Sequence, residues 1–360
     1  MKYIRTYETE EKFLTDKDST SRGFRLKPTL YKYDSNGDHI HLEIDDPRKH
    51  EGSTYMEITL DADVEFSFYI GNKSGDTQTT MTCTIDWGDG TVETKTITKD
   101  DKGFKLAHSY VAGSYKIELY DVERGYRVVG DVKDWKCLIS HASSVKRVVL
   151  GNSVGSTGDY TFKYCESLKS IYIPRGVTEI RNSVFRGCPS LTSIHIPESV
   201  TRIGDSAFKS CTSLTSINIP ESVNSIGESA FYNCSSLKSI YIPESVTSIG
   251  DSAFNQCSSL TSINIPKRVT RIGACIFYKC SSLTSINIPE GVTSIQGQAF
   301  ERCSALISIS SLNTTAPTLD SYKVFYNLPT NGTLHIKPGA TGYDAWLSKL
   351  PSGWTIVEDL

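Results

Sequence analysis

Hydrophobic residues between positions 145 and 312 return every 23 residues, and this period organises much of the chain. In the regular copies a leucine is followed by isoleucines three and five positions later, as in Leu191, Ile194 and Ile196. This L-x-x-I-x-I spacing predicts a short strand whose alternate side chains face inward. A proline then ends the strand in the most regular copies, at Pro197, Pro220, Pro243, Pro266 and Pro289.

The second half of each copy carries another inward pair, such as Val200 with Ile203. The glycine that follows is predicted to lie in a turn, at Gly204, Gly227, Gly250 and Gly273. The segment from Ala207 to Cys211 is too short for a long helix. It predicts one turn of α-helix or 3₁₀-helix instead.

One such unit cannot bury its apolar face alone, and stacked copies turn these faces into a continuous core. The consensus reads F-x-x-C-x-S-L-x-S-I-x-I-P-x-x-V-x-x-I-G-x-x-A and is most regular between Phe185 and Ala299. Over residues 140 to 311 it resembles the BspA-like leucine-rich repeat family of bacterial and protozoan surface proteins. The expected fold is therefore mainly β with short helical turns, a right-handed leucine-rich repeat solenoid of 23-residue repeats.

Both ends of the array, which we place at residues 145–312, are degenerate. Val145, Val148, Leu150 and Val154 keep the inward positions of a first copy, and residues 123–144 are expected to form a junction and an N-terminal cap. Residues 313–360 resemble the closing segment that follows BspA-like arrays, so we expect a C-terminal cap there. Solenoids need such atypical ends to cover their terminal core faces.

Residues 55–122 precede the array and alternate apolar with polar positions. The stretches Asp86-Trp87-Gly88-Asp89-Gly90-Thr91 and His108-Ser109-Tyr110 resemble the PKD domain, an Ig-like β-sandwich, although Asp86-Trp87 inverts the usual order before the first glycine. Both glycines can adopt positive φ in the turn, and both aspartates can accept hydrogen bonds from local amides. The resemblance implies a spacer or a binding module.

Residues 1–54 are expected to form a docking segment that contains a β-hairpin, with its turn at Asn36-Gly37. Asp34, Asn36, Asp38 and Asp45 have the spacing of a calcium-binding EF-hand loop, but His39 replaces the required glycine, which favours a plain hairpin. The opening residues also resemble the starts of virion proteins from phages of Bacteroides-type hosts. That resemblance implies docking on phage capsid or tail proteins.

Charge and hydropathy narrow the classes of partner. The net charge of -3 gives no electrostatic case for binding nucleic acid or an anionic membrane. No run of about 18 apolar residues predicts a membrane span. The first residues become charged quickly and offer no apolar signal-peptide core. We therefore expect surface display either on a virion made in the host cytoplasm or on a bacterial envelope after removal of a signal.

Seven of the ten cysteines occupy one repeat position, at Cys165, Cys188, Cys211, Cys234, Cys257, Cys280 and Cys303. Neighbours would lie about 5 Å apart, within bridging reach, but seven is an odd number and stacked side chains point in parallel. C-x-x-C pairs typical of zinc sites are missing. Buried small hydrophobic side chains are the better interpretation.

No catalytic constellation stands out. Gly151-Asn152-Ser153-Val154-Gly155 satisfies the G-x-S-x-G pattern of serine hydrolases, but Ser153 aligns with Gly176 and with serines of the later copies, so it is a repeat position. The histidines are scattered, and neither a metalloprotease motif nor a phosphate loop occurs. We expect a protein that is not an enzyme and has no cofactor and no metal site.

The outward positions of the predicted strands form two columns. One is a uniform serine column, and the other varies and offers aromatic, imidazole and amide groups on one face. Extended solenoid faces of this kind bind proteins or glycans. The predicted ligand-binding residues are those of the varied column: Tyr172, His195, Asn218, Tyr241, Asn264 and Asn287.

Two functions follow as hypotheses. The first is a surface-displayed adhesion protein that recognises a protein or glycan on a cell surface through the varied column. The second is a phage virion or decoration protein that is docked by its N-terminus. An ordinary solvated surface is the competing explanation of the column, because exposed polar residues need no function.

Overall fold

A computed structural model describes residues 4–6, 29–33, 39–42, 54–72, 79–98, 104–120, 126–128, 130–131, 136–137, 139, 142–151, 154–321 and 323–360. The chain divides into two compact units, Met1–Glu51 and Gly52–Leu360. The first unit contains three antiparallel strands in the order β1-β2-β3: β1 (Ile4–Thr6), β2 (Thr29–Tyr33) and β3 (His39–Leu42). Tyr33 of β2 pairs with His39 of β3, as the predicted hairpin requires. The turn of that hairpin and all four calcium-type positions lie outside the described residues.

The second unit begins with strands that form two facing sheets: β4 (Thr54–Leu60), β5 (Val64–Asn72), β6 (Thr80–Asp86), β7 (Val92–Thr98), β8 (Phe104–Tyr110), β9 (Gly113–Tyr120) and β10 (Tyr126–Val128). One sheet contains the run β4-β9-β6-β7, and the other contains β10-β5-β8. Alternate side chains of both sheets, such as Ile85 and Phe68, are buried in one cluster. A short pair follows, β11 (Gly130–Asp131) with β12 (Lys136–Cys137), and then a 3₁₀ turn at Ala142–Ser144.

The turn between β6 and β7 has the geometry expected from its residues. Gly88 and Gly90 have φ of 79° and 94°. Asp86 accepts a hydrogen bond from the amide of Gly88, and Asp89 accepts one from the amide of Thr91.

The histidine and tyrosine of the H-x-Y stretch hold the same turn from the other sheet. His108 stacks on the buried Trp87 ring with 4.9 Å between the ring centroids, and its Nε2 lies 2.7 Å from a carboxylate oxygen of Asp89. The Tyr110 hydroxyl donates to the Trp87 carbonyl. The motif residues therefore join the two sheets, while the PKD-like identity of this region stays a prediction.

The repeat region forms a solenoid whose coils pair in parallel along two ladders. Ladder A comes from the L-x-x-I-x-I half and contains β13 (Val145–Val149), β15 (Ser170–Tyr172), β19 (Ser239–Ile240), β21 (Ser262–Ile263), β23 (Ser285–Ile288), β25 (Ser308–Ser311), β27 (Thr333–Ile336) and β28 (Thr355–Glu358). Ladder B comes from the V-x-x-I half and contains β14 (Val154–Thr157), β16 (Glu179–Ile180), β17 (Arg202–Ile203), β18 (Ser225–Ile226), β20 (Ser248–Ile249), β22 (Arg271–Ile272), β24 (Ser294–Ile295) and β26 (Thr318–Leu319). Equivalent residues pair at intervals of 23, as Ile180, Ile203 and Ile226 do. The mainly β, leucine-rich repeat fold is confirmed.

Each facing sheet of the N-terminal strands continues into one ladder. β13 pairs with β4 on one side and with β15 on the other. β10 pairs with both β5 and β14. Buried side chains accordingly form one hydrophobic cluster from Met56 to Trp354. The first repeat is thus covered by strands that precede the array, through direct backbone pairing.

A stack of phenylalanines runs through the solenoid, one from each coil. The rings of Phe162, Phe185, Phe208, Phe231, Phe254, Phe277, Phe300 and Phe325 follow one another with centroids 5.3–5.9 Å apart and interplanar angles of 2–18°. Offset aromatic pairs of this kind contribute about 0.5–1.5 kcal/mol each beyond the burial of their area. All eight of these phenylalanines are at most 1% exposed. The stack therefore lies fully inside the core and continues through every coil.

The segment from Ala207 to Cys211, for which the sequence predicts one turn of helix, forms hydrogen-bonded turns instead of a regular helix. Residues 205–210 form successive hydrogen-bonded turns, with bonds from the Lys209 amide to the Ser206 carbonyl and from the Cys211 amide to the Phe208 carbonyl. Ser206 and Ser210 have φ of 55° and 62°, in the left-handed region. A residue in that conformation cannot continue a right-handed helix.

The repeat glycines lie where a turn begins, since the Ala207 amide donates to the Gly204 carbonyl, and they also allow a close approach between coils. Their φ values are not in the left-handed region. A Cβ on Gly204 would lie 2.8 Å from the backbone carbon of Arg181 in the preceding coil. The residue that follows the glycine position bonds to its own equivalent in the next coil. The side-chain oxygen of Asn182 accepts from the Asp205 amide, and that of Asp205 accepts from the Glu228 amide. At Gly204 the absence of a Cβ therefore leaves the space that this close approach requires.

The cysteines of the repeat are buried and free, as predicted, and they also make a bond that the sequence did not indicate. Each thiol from Cys188 onward donates to the phenylalanine carbonyl of the preceding coil, with distances of 3.0–3.2 Å. Burial raises the pKa of Cys211, Cys257 and Cys303 to about 12. These thiols therefore stay protonated and unreactive.

Residues 313–360 contain one further coil and then close the core. Phe325 extends the phenylalanine stack, and the ring of Trp346 lies 5.4 Å from it at a tilt of 52°. Trp346 belongs to helix α1 (Asp344–Leu347), and its indole nitrogen donates to the Pro317 carbonyl. The tilted indole ends the stack, because no further ring can lie parallel on it.

Replacement of Phe231 by alanine should lower the free energy of unfolding by about 3–5 kcal/mol, because it removes a ring stacked on both sides. Urea denaturation followed by circular dichroism measures the change. Ser216→Ala, at an exposed ladder A position, is the control and should stay within about 0.5 kcal/mol of the parent protein. Similar losses for the two variants would contradict a core built on the ring stack.

Stability should fall as the pH rises above 9. The unfolded chain releases its thiol protons near the ordinary pKa of 9.0, whereas Cys211, Cys257 and Cys303 keep theirs up to about 12. The folded state then binds more protons, so each such thiol costs about 1.4 kcal/mol per pH unit in this window. Urea midpoints from pH 8 to 11 should fall less steeply for Cys211→Ala/Cys257→Ala than for the parent protein. Equal slopes would show that these thiols ionise in the folded state.

Candidate ligand-binding face

The six predicted binding residues lie at equivalent positions in successive coils of ladder A. The pairing of Val149 with Tyr172 and the bridge between His195 and Asn218 fix the column at one end. At the other end Asn287 pairs with Ser310, and Ser310 with His335. These pairings place the column on the outward side of the ladder, between the inward isoleucines.

Exposure divides the column. His195, Asn218, Tyr241 and Asn287 are exposed, and Tyr241 reaches 57%. Tyr172 is half-buried. Its outward neighbours in register, Val149 and then Tyr55 of β4, are only 2% and 1% exposed. The open part of this face therefore begins at the coil of His195.

Asn264 is held by the backbone of the preceding coil. Its Oδ1 accepts a hydrogen bond of 2.8 Å from the Ile242 amide, and its Nδ2 donates one of 2.6 Å to the Ile242 carbonyl. Where leucine replaces the repeat proline at the end of the array, the Leu312 amide donates to the Ile288 carbonyl at the equivalent place. Pro266 occupies that place in the coil of Asn264 and has no N–H to donate. The amide of Asn264 replaces the missing donor, and so it is not available to a ligand.

The remaining adjacent group consists of His195, Asn218 and Tyr241, in three consecutive coils. In the described part of the chain, no side chain forms a hydrogen bond to any of these three. Exposed serines accompany them in the neighbouring column, at Ser193, Ser216 and Ser239. At about 4.8 Å per coil the group spans about 10 Å. An imidazole, an amide and a phenol thus lie free on one rigid surface, which we call the ladder A site.

A row of carboxylates borders the ladder A site and was missed by the sequence analysis. Glu198, Glu221 and Glu244 follow the strand-ending prolines of the same three coils and are exposed. The 23-residue period could have revealed them, because it places them in register just as it does the column. Together with the column they offer charged acceptors, neutral donors and an exposed ring to a polar ligand.

The motifs outside this face carry no further site among the described residues. Among the described residues, no group of three His, Cys, Asp or Glu side chains could hold a metal ion. Ser153 lies outside them, but the equivalent Ser199, Ser222 and Ser245 donate to valine carbonyls of the preceding coil at 2.6–2.7 Å. That position is therefore a structural one in the array. Within the same limits, no helix is long and apolar enough to cross a membrane.

A family model for the BspA type leucine rich repeat region matches residues 138–261 and 225–337, together more than half of the chain. The chain belongs to the BspA-type leucine-rich repeat family. BspA-type proteins are usually cell-surface proteins that bind other molecules, and a repeat solenoid of this kind is typical of binding proteins rather than enzymes. No curated protein matches the chain significantly.

Several solved leucine-rich repeat structures are similar to this BspA-type chain. A protein of T. pallidum is 26% identical, with 58% of this chain and 91% of that chain covered and a TM-score of 0.44. A protein of Bacteroides ovatus ATCC 8483 is 18% identical, with 79% and 100% covered and a TM-score of 0.29. A leucine rich cell surface protein of Faecalibacterium prausnitzii A2-165 is 22% identical, with 66% and 84% covered and a TM-score of 0.36.

The virion role of this BspA-type protein stays a prediction. It depends on residues 1–54, of which the structure describes only β1, β2, β3 and the first residue of β4. The described strands of that segment provide no observation that favours docking on a phage particle.

Asn264→Ala should lower the free energy of unfolding by about 1–3 kcal/mol, because the Ile242 amide loses its acceptor in a half-buried place. The matched control is Asn287→Ala, at the exposed equivalent position one coil later, which should change stability by less than about 0.5 kcal/mol. Thermal and urea denaturation measure both. If Asn264→Ala were as harmless as the control, the amide would be free for a ligand after all.

Proposed function

We propose that this BspA-type protein is a non-enzymatic, surface-displayed binding protein that recognises a protein or glycan on a cell through the ladder A site. The observation that carries the proposal is the juxtaposition of His195, Asn218 and Tyr241 in three consecutive coils. Their side chains are exposed and accept or donate no hydrogen bond within the part of the chain that the structure describes. Of the other predicted residues, Tyr172 and Asn287 extend the surface at its two ends. Asn264 serves the framework.

The frame beneath the ladder A site supports binding with a small entropic cost. Ile194, Ile217 and Ile240, which alternate with the column, are at most 7% exposed and pack in the common core. Because the strands that carry these side chains are already fixed by the core, ligand binding does not have to supply the free energy to order the backbone. Short polar side chains and one large aromatic ring are also a usual composition for recognition surfaces.

The N-terminal sheets support a role in display. Because β4 and β10 pair directly with the first coil, the sandwich and the solenoid share backbone hydrogen bonds and one core. A connection of this kind holds the binding face at a fixed orientation to the preceding strands. We therefore assign the sandwich the role of a rigid spacer.

The test is a binding comparison with fluorescently labelled full-length protein on a glycan array and on intact bacterial and epithelial cells. The parent protein should bind, and His195→Ala/Asn218→Ala/Tyr241→Ala should weaken binding at least tenfold with an unchanged melting temperature. Ser248→Ala, at an exposed position of ladder B, is the control and should bind as the parent does. Unchanged binding by the triple variant would refute the site, and a parent protein that binds neither array nor cells would refute the function.

A further inference from the structure

A second polar surface lies on the turns that carry the stacked phenylalanines. The residue after each ring belongs to a row, the turn face, that reads Lys163, Arg186, Lys209, Tyr232, Asn255, Tyr278, Glu301 and Tyr326. In the turn face Lys163, Asn255 and Glu301 are buried, Arg186, Lys209, Tyr232 and Tyr278 are half-buried, and Tyr326 is exposed. The first three members of the row are cations in consecutive coils. Neither ladder A nor the ladder A site includes these residues.

Backbone hydrogen bonds hold the first coils of the turn face together. The Tyr164 amide donates to the Arg186 carbonyl at 2.8 Å, and the Gly187 amide donates to the Lys209 carbonyl at 2.7 Å. Arg186 and Lys209 therefore start from directly adjacent backbone positions. Their side chains are half-buried, so both are accessible to a ligand.

Aromatic rings flank the two cations. Tyr164 is 50% exposed, and its ring covers Gly187, where an added Cβ would approach ring atom Cε1 to 2.9 Å. Gly187 follows Arg186 directly, so the Tyr164 ring lies beside the Arg186 position. On the other side, the ammonium of Lys209 lies 4.4 Å from the centroid of the Tyr232 ring.

The positive charges of Arg186 and Lys209 are not neutralised by an ion pair within the described residues. Their neighbour Arg181, by contrast, bonds Asp159 at 3.0 Å. Burial lowers the pKa of Lys209, and the charge of Arg186 lowers it further, while the Glu228 carboxylate opposes this shift without forming an ion pair. An anionic group bound between the two cations would remove their repulsion.

We propose that the turn face around Tyr164, Arg186 and Lys209 binds an acidic glycan. The carboxylate or sulfate of one sugar lies between the two cations, and the apolar face of a pyranose ring packs on Tyr164. Charge complementarity selects the anion, and the exposed ring selects a saccharide. An extended acidic peptide fits less well, because the backbone amides that it would pair with, those of Tyr164 and Gly187, already bond to the next coil.

A uronic acid hexasaccharide and a neutral hexasaccharide of the same linkage are suitable probes for calorimetry with the full chain. We expect binding of the acidic probe only, with an affinity that falls as sodium chloride is raised. Arg186→Ala/Lys209→Ala should weaken it at least tenfold, Arg186→Lys should retain most of it, and Tyr164→Ala should also weaken it. Arg268→Ala, an exposed cation in another part of the array, is the control and should bind normally.

Equal binding of the neutral probe, or normal binding by the Arg186/Lys209 double variant with its melting temperature retained, would overturn the proposal. So would equally tight binding of a glutamate hexapeptide, or no binding to any uronate or sulfated sugar on a glycan array. The ladder A triple variant keeps both cations and should bind the acidic probe as the parent does. Failure of the turn face and failure of the ladder A site are thus observed separately.

Discussion

The structure depends on one constraint, which is that every coil must satisfy the backbone of the next at a constant register. Successive strands in a parallel ladder lie about 4.8 Å apart, so each inward side chain meets its own equivalent one repeat later. Pairing of Ile180 with Ile203, and of Ile203 with Ile226, expresses this register. A repeat of changed length would shift the bonds of the whole coil, which explains why the period stays at 23 through the regular copies.

Several repeat residues are consequences of that constraint. The phenylalanine rings stack because equivalent residues of successive coils lie directly above one another along the solenoid axis. The cysteine thiols add a hydrogen bond to the phenylalanine carbonyl of the preceding coil. Gly204 leaves space for the backbone of the preceding coil. The side-chain oxygens of Asn182 and Asp205 accept hydrogen bonds from backbone amides of the following coil. The two ends of the stack must then be covered, by paired strands at the N-terminal side and by Trp346 at the other.

The same framework decides which surfaces remain available for recognition. Inward positions and the side chains that bond between coils are committed to stability, as Asn264 is through its bonds to Ile242. Among the described residues, the outward side chains that make no hydrogen bond between coils include those of the ladder A site and those of Arg186 and Lys209 on the turn face. The two surfaces differ in charge, since carboxylates border the first and cations form the second. The two proposed surfaces are therefore chemically different although one packed frame carries both.

The sequence alone determined the solenoid, its period, the inward positions and the column that carries His195, Asn218 and Tyr241, because a strict repeat forces equivalent residues into equivalent places. It also indicated the glycine and aspartate roles in the turn at residues 86–91, which are local. Only the tertiary structure decided that Asn264 completes the framework, that the repeat glycines serve close approach, and that the N-terminal sheets merge with both ladders. Those features depend on contacts between coils and between distant strands, which a single repeat does not encode.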